Sequence, residues 1–369
     1  MRICVDATSL LLRSAGVKNY IYHWIRALQL HAPELQVSAF PLIQDIGDLN
    51  HERSVASRAG TIARIGLLHA TNVLGGPLMN WAAGDADVFH ASNQVHKPPR
   101  GKLLTATLYD MTCLLMPENH TAANVRAERN YAEHVLKRAN GLIAISEHTK
   151  RDTVRLLGIC DSKISVVYPG VPDVYFRDLS DEVRRVKHSL KLTKPYALIV
   201  GTIEPRKNVD MLLDAWAKLP RDIREAWELI VAGPEGWAHS KTLARLRSAP
   251  DGVRYLGYVA ERDLPALTAG SDLFVYPSFY EGFGFPAAQA MAAGVPLITS
   301  NVSSLPEVAQ DAGILIDPKS VEGLRAALLQ AITSPVKRAE MSRRGREIAR
   351  EYTWQQAARK SAFFFENLG

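Results

Sequence analysis

Three stretches of the 369-residue sequence combine charged and small side chains where apolar runs end, and these are where chemistry is to be sought. In GTIEPRKN, residues 201–208, Arg206 and Lys207 are adjacent behind Pro205 and follow Gly201 and Thr202. Proline suits the first turn of a helix, so the pair is expected at a helix start, where two cations and the helix dipole face one anion. A guanidinium grips phosphate bidentately and an ammonium adds a point charge, which fits a diphosphate. The plain alternative, a solvated charge pair, is unattractive directly beyond a buried strand. In PSFYEGFGFPAAQAMAAGVPLI, Glu281 adjoins Gly282, Phe283 and Gly284. A carboxylate that can accept sugar hydroxyls thus neighbours amides exposed by small residues. Ala287 takes the third-glycine position, so the run is not the dinucleotide fingerprint. In ATSLLLRSAGVKNY, Gly16 either lets the backbone approach a ligand ahead of a helix N-terminus or simply forms a tight turn.

Other chemistries find little support. Asp85-Ala86-Asp87 has the form of a metal-binding DxD, but it precedes a strand, where turn residues belong, and no metal site is expected. HExxH, GxSxG and GxxxxGK[ST] are all missing from the sequence, which disfavours zinc proteases, the usual serine hydrolases and P-loop NTPases. Cys4, Cys113 and Cys160 are an odd number at wide spacing and read as reduced thiols.

The elements that must position these turns are short apolar runs at 1–6, 37–42, 88–91, 103–109, 142–146 and 164–168, then at 196–201, 229–233, 253–256, 273–276, 295–299 and 314–316. Amphipathic helical stretches lie between many of them, and such alternation implies parallel sheets flanked by helices. Two series predict an α/β protein of two doubly wound, Rossmann-like domains facing a cleft, over 1–172 and 173–350, with ligands beyond the carboxyl ends of the strands. Residues 351–369, too apolar for a tail, are expected to form a helix packing back on the first domain.

Apolar residues make up 47% and charged residues 22%, so disorder is not expected and ample core material is present. The formal charge of +6 is spread along the chain rather than gathered in one stripe, which suits phosphate-bearing small molecules or an anionic lipid surface at least as well as nucleic acid, and no nucleic-acid partner is expected. No secretory signal or membrane span is legible, and a cytoplasmic protein is expected. The segment 51–74 is basic and helical in pattern, and Ile62, Ile65, Leu67 and Leu68 either rest on the inner face of a membrane or belong to an ordinary surface helix.

The motifs EPRKN, GPEGW, YLGYV, PSFYEGFGFPAAQAMAAGVPLITSNVSSLPEV and DAGILIDP resemble the second domain of the retaining glycosyltransferases of family 4, of GT-B fold. MRICVDA, AGVKNY, DVFHAS, TLYDMT and AISEHTKRD resemble the first. The resemblance implies transfer of a hexose, mannose as first guess, from a nucleoside diphosphate sugar such as GDP-mannose to a hydroxyl of a glycan or lipid-linked acceptor. It implies that the first domain binds the acceptor and the second the nucleotide sugar, with no further cofactor. Glu281 matches the first acid of the family's Glu-x7-Glu motif, which binds the donor sugar, while Gln289 replaces the second, which commonly binds the ribose. Arg206 and Lys207 match the diphosphate-binding pair and Gly16 the first glycine turn. Gly201, Thr202, Gly282, Phe283 and Gly284 fall in donor-binding turns, and backbone at Gly257 and Tyr258 would meet the base. Tyr109-Asp110 stands where relatives often carry His-Asp. Rival readings are a phosphorylase or epimerase on the same scaffold, or a non-catalytic sugar-nucleotide-binding subunit.

Overall fold

A computed structural model describes residues 1–12, 16–43, 46–47, 49, 54–236, 240–248 and 251–368. Of the stretches read above, residues 13–15, 51–53, 237 and 369 lie outside these. The chain divides into two units, Met1–Gly170 with Thr353–Gly369, and Val171–Tyr352.

The first unit holds β1 (Arg2–Asp6), β2 (Gln36–Phe40), β3 (Val88–Ala91), β4 (Leu103–Leu108), β5 (Gly141–Ala144) and β6 (Ile164–Val166) in a parallel sheet of order β2-β1-β3-β4-β5-β6. The second holds β7 (Tyr196–Val200), β8 (Glu228–Ala232), β9 (Val253–Gly257), β10 (Leu273–Tyr276), β11 (Leu297–Ser300) and β12 (Gly313–Ile316), ordered β12-β11-β10-β7-β8-β9. Every strand lies within two residues of its expected run. Helices cover both faces of a parallel sheet, so β3, β5, β10 and β11 are buried along their whole length; β5 and β10 read as unbroken apolar runs, while β3 carries buried His90 and β11 ends on buried Thr299 and Ser300. In each sheet the order reverses once, between β1 and β3 and between β7 and β10. Crevices open at such reversals, so the turns after β7 and β10 are placed to share one.

The helix Trp354–Glu366 packs on the helix Gly16–His31 of the first unit. Trp24 Nε1 donates to Ser361 Oγ at 2.9 Å, and Phe365 lies against Trp24 and His90. Trp24 and Phe365 are fully buried, and each contributes about 1.5–3 kcal/mol by leaving water. The division falls at 170/171 and 352/353, where the sequence suggested 172/173 and 350/351. A side chain on Gly170 would meet Trp354 N at 2.1 Å, which ties this glycine to the first unit, whereas Val171 N donates to Tyr352 O at 2.9 Å within the second.

The basic segment contains a helix, Arg58–Leu74, with Ser57 as its N-cap. Its four named apolar residues do not share an outward face: Ile62 is exposed, Ile65 half-buried, Leu67 packed against the core and Leu68 buried. Among the described residues no helix is long and apolar enough to cross a membrane.

Candidate active site

At the carboxyl ends of β7 and β10 the second unit gathers four charged side chains. Pro205–Lys207 forms a single 3-10 turn after β7, and Asn208 then takes a left-handed conformation before the helix Val209–Ala217. The cations therefore precede the helix instead of forming its first turn, a correction to the sequence expectation. Asparagine tolerates the left-handed region, and Asn208 Nδ2 is held there by Pro277 O and Pro318 O at 3.1 and 2.7 Å.

Glu281 follows β10 and is 7% exposed. Lys207 Nζ stands 2.7 Å from its Oε1 and Arg206 Nη1 2.7 Å from its Oε2. The same Nη1 donates to Tyr280 O at 2.7 Å, while Nη2 donates to Glu204 Oε1 at 2.6 Å. Lys207 Nζ also donates to Tyr276 OH at 2.5 Å and lies over that ring. Arg206 and Lys207 from one turn and Glu281 from the other, read separately in the sequence, are thus bonded to one another. Burial alone would raise the Glu281 carboxyl, but Arg206 and Lys207 overcome it and hold it at about 2. Lys207 is lowered, first by burial and then by Arg206, against the pull of Glu281 and Glu204. Two cations and two carboxylates make a charge-balanced cluster in a site of low dielectric.

Glycines shape the walls. Gly233 ends β8 so close to the end of β7 that a side chain would sit 1.9 Å from Gly201 O. Gly257, at φ 65°, ends β9, and its carbonyl accepts from Gly233 N at 2.8 Å. Thr202 and Gly201 lie beside these ends, and Tyr258 is exposed. Gly284, at φ 97°, leads into the helix Phe285–Ala292, which carries half-buried Gln289. Gly282 and Phe283 lie in the same turn, but the Phe283 ring is core, packed on Phe285 and Tyr352, so its side chain is not turned to the site. Ser303 Oγ accepts from Glu281 N at 3.0 Å and Ser304 Oγ donates to Glu281 O at 2.9 Å, so the loop is pinned from both sides. Glu204, Tyr276 and these serines were given no role of their own from sequence, and Gly233 was read only as the start of GPEGW. Glu204 carried a further signal, an acid two residues before an arginine in a turn.

The first unit has its own polar floor. Asp6 is fully buried at the end of β1, where Oδ1 accepts from Thr8 N and Oγ1 and Oδ2 accepts from Ser92 N and Gln94 N. His90 on β3 sits between the Thr105 and Thr107 hydroxyls, and burial lowers it to about 3, so it is neutral. Tyr109 lies edge-on to Tyr20; its hydroxyl makes no hydrogen bond among the described residues, and burial raises it well above the usual phenol range. Asp110 Oδ1 accepts from Thr112 N and Oγ1, closing the turn into the helix Thr112–Leu115. Gly16 opens the helix Gly16–His31, and among the described residues no other segment comes within 4 Å of where its side chain would begin. Asp87, from the DxD-like stretch, is bound by Arg2 N and Nη2 at 2.8 and 2.9 Å.

Comparison with known proteins agrees with this architecture. Residues 180–348 match the family "Glycosyl transferases group 1". The chain is 35% identical over 295 residues to O-antigen chain mannosyltransferase B of Escherichia coli, covering 78% of this chain and 77% of that protein. Sucrose-phosphate synthase of Thermosynechococcus elongatus superposes with TM-score 0.76 at 18% identity, over 100% of this chain and 99% of that one. Anabaena HepE in complex with UDP-glucose superposes with TM-score 0.70 at 17% identity, over 100% and 98%. At those identities the solved structures establish the fold alone. With the GT-B architecture of two parallel six-stranded sheets and a relative 35% identical over most of both chains, the protein belongs to the group 1 glycosyltransferases.

Proposed function

We propose that the protein is a retaining glycosyltransferase that moves a hexose, with mannose the first candidate, from a nucleoside diphosphate sugar to a hydroxyl of a glycan or lipid-linked acceptor. The observation that carries this reading is the buried cluster of Arg206, Lys207, Glu281 and Glu204 at the reversal between β7 and β10. Mannose is favoured because the E. coli relative is a mannosyltransferase. As the anomeric C–O bond breaks, electrons pass to the diphosphate while positive charge grows on the sugar. Preorganised cations aimed at the phosphate stabilise that separation without reorganising.

The cluster implies an exchange of partners. Glu281 turns from the cations to sugar hydroxyls, where a carboxylate gains as the sugar becomes oxocarbenium-like, and Arg206 and Lys207 turn to the diphosphate. Glu204 stays on Arg206 and keeps the guanidinium fork oriented. The acceptor oxygen attacks from the face the diphosphate leaves, and its proton passes to a departing phosphate oxygen, so no protein nucleophile is needed. The cationic side chains carry the charge in this scheme, which makes the reaction independent of added metal.

Incubation of the purified protein with GDP-mannose and other nucleoside diphosphate sugars tests the reading. Release of nucleoside diphosphate supports it; release of sugar 1-phosphate would point to a phosphorylase. Binding without turnover, across donors and acceptors, would leave a sugar-nucleotide-binding subunit.

A further inference from the structure

The outward surface of the first unit around Val73, Leu74 and Trp81 is apolar and rimmed by cations. The helices Arg58–Leu74 and Gly76–Ala82 meet at Gly75, and they leave Val73 68%, Leu74 71% and Trp81 64% exposed. A basic segment runs alongside, fixed at successive points. His96 N donates to Asn72 Oδ1 and Lys97 Nζ to Val73 O. Arg100 N donates to Asn80 Oδ1, and Lys102 Nζ to Gly84 O. Lys97 is therefore held at Val73 and Gly75, and the Arg100 backbone at Asn80, one residue before the exposed tryptophan. Residues 54–84 and 88–109 contain no Asp or Glu, and of the two acids between them Asp87 is taken by Arg2. Lys97, Arg100, Lys102, Arg58 and Arg64 have no ion-pair partner among the described residues.

We infer that this face docks on an anionic phospholipid surface. Exposed apolar side chains backed by unpaired cations are complementary to a bilayer with acidic headgroups, and an indole settles at the level where hydrocarbon meets headgroup. Trp81, Val73 and Leu74 enter the interface, while Lys97, Arg100 and Lys102 meet lipid phosphates and add attraction that salt screens. The docking residues differ from those suggested by the helical pattern of the sequence: of Ile62, Ile65, Leu67 and Leu68, Leu68 is buried and Leu67 serves the core. This inference stands apart from the donor reading and is tested without turnover.

The test is co-sedimentation of the full chain with phosphatidylcholine vesicles prepared with and without phosphatidylglycerol, at low and high salt. Binding is expected to be about tenfold stronger with phosphatidylglycerol and to weaken with salt. It should be lost in the triple variant Val73→Ser, Leu74→Ser, Trp81→Ser and, separately, in Lys97→Gln with Arg100→Gln, with both proteins melting as the parent does. Failure of the folded parent to bind the acidic vesicles, or undiminished binding by the charge variant, would overturn the inference. So would a concentration-dependent dimer that the triple variant abolishes, which would assign the patch to a second copy.

Discussion

Lys207 Nζ and Glu281 Oε1 are 2.7 Å apart although 74 residues separate them in sequence. The cation that would hold a phosphate and the acid that would hold the sugar are each other's partners, so a donor must part them. Glu281→Gln is therefore expected to slow transfer by about 10²–10³-fold while tightening the product nucleoside diphosphate, because the cations no longer answer to a carboxylate. Calorimetric titration of the diphosphate reads the second effect; weaker binding by the variant would contradict partner exchange.

Arg206 joins three acceptors, Glu204, Tyr280 O and Glu281, and so ties the turn after β7 to the loop after β10. Arg206→Ala leaves two buried carboxylates with less compensation, and a loss of about 3–5 kcal/mol is expected from such broken buried pairs. Arg206→Lys keeps the charge but not the fork; it should fold and still transfer about a hundredfold more slowly. Melting curves and turnover of both variants separate scaffold from chemistry.

Full activity is expected to survive excess EDTA, since side-chain cations stand where a metal would otherwise neutralise the diphosphate. Inactivation by EDTA with recovery on adding manganese or magnesium would redirect attention to Asp85 and Asp87.

Gln289 lies on the helix entered through Gly284, half-buried, one turn and more beyond the loop that carries Glu281. If it faces a ribose hydroxyl, Gln289→Glu substitutes a charged acceptor and should lower the donor KM several-fold with little change in kcat. An unchanged KM and unchanged product inhibition would make Gln289 a packing residue.

Glu128, on the helix Ala122–His134, is raised to about 7 by burial and then by the charge of Asp110. A carboxyl with a raised folded value stabilises the fold fully below its unfolded value of 4.5 and loses that contribution as pH climbs through about 7. Glu128→Gln fixes the neutral state, so its melting temperature should equal the parent's near pH 4.5 and exceed it by a few degrees at pH 8. Parallel melting profiles from pH 4.5 to 8 would show that Glu128 does not titrate in this window.

Much of this architecture was written locally. Twelve mainly apolar runs became twelve strands in two parallel sheets, because a strand covered on both faces leaves water along most of its length and helical spacing marks what covers it. The turns that carry Arg206, Lys207 and Glu281 were legible for the same reason: charge and glycine directly beyond a buried strand have few structural uses. What the residues could not say is who their neighbours are. Strand order alone sets β7 beside β10, so only the folded sheet decides that Lys207 and Arg206 bind Glu281 rather than wait singly for a ligand. Burial is likewise a tertiary property: it made Phe283 core, divided the apolar residues of Arg58–Leu74 between core and surface, and paired Glu128 with the charge of Asp110. Side-chain type and spacing travel with the sequence, whereas desolvation and long-range pairing exist only once distant segments have been brought together.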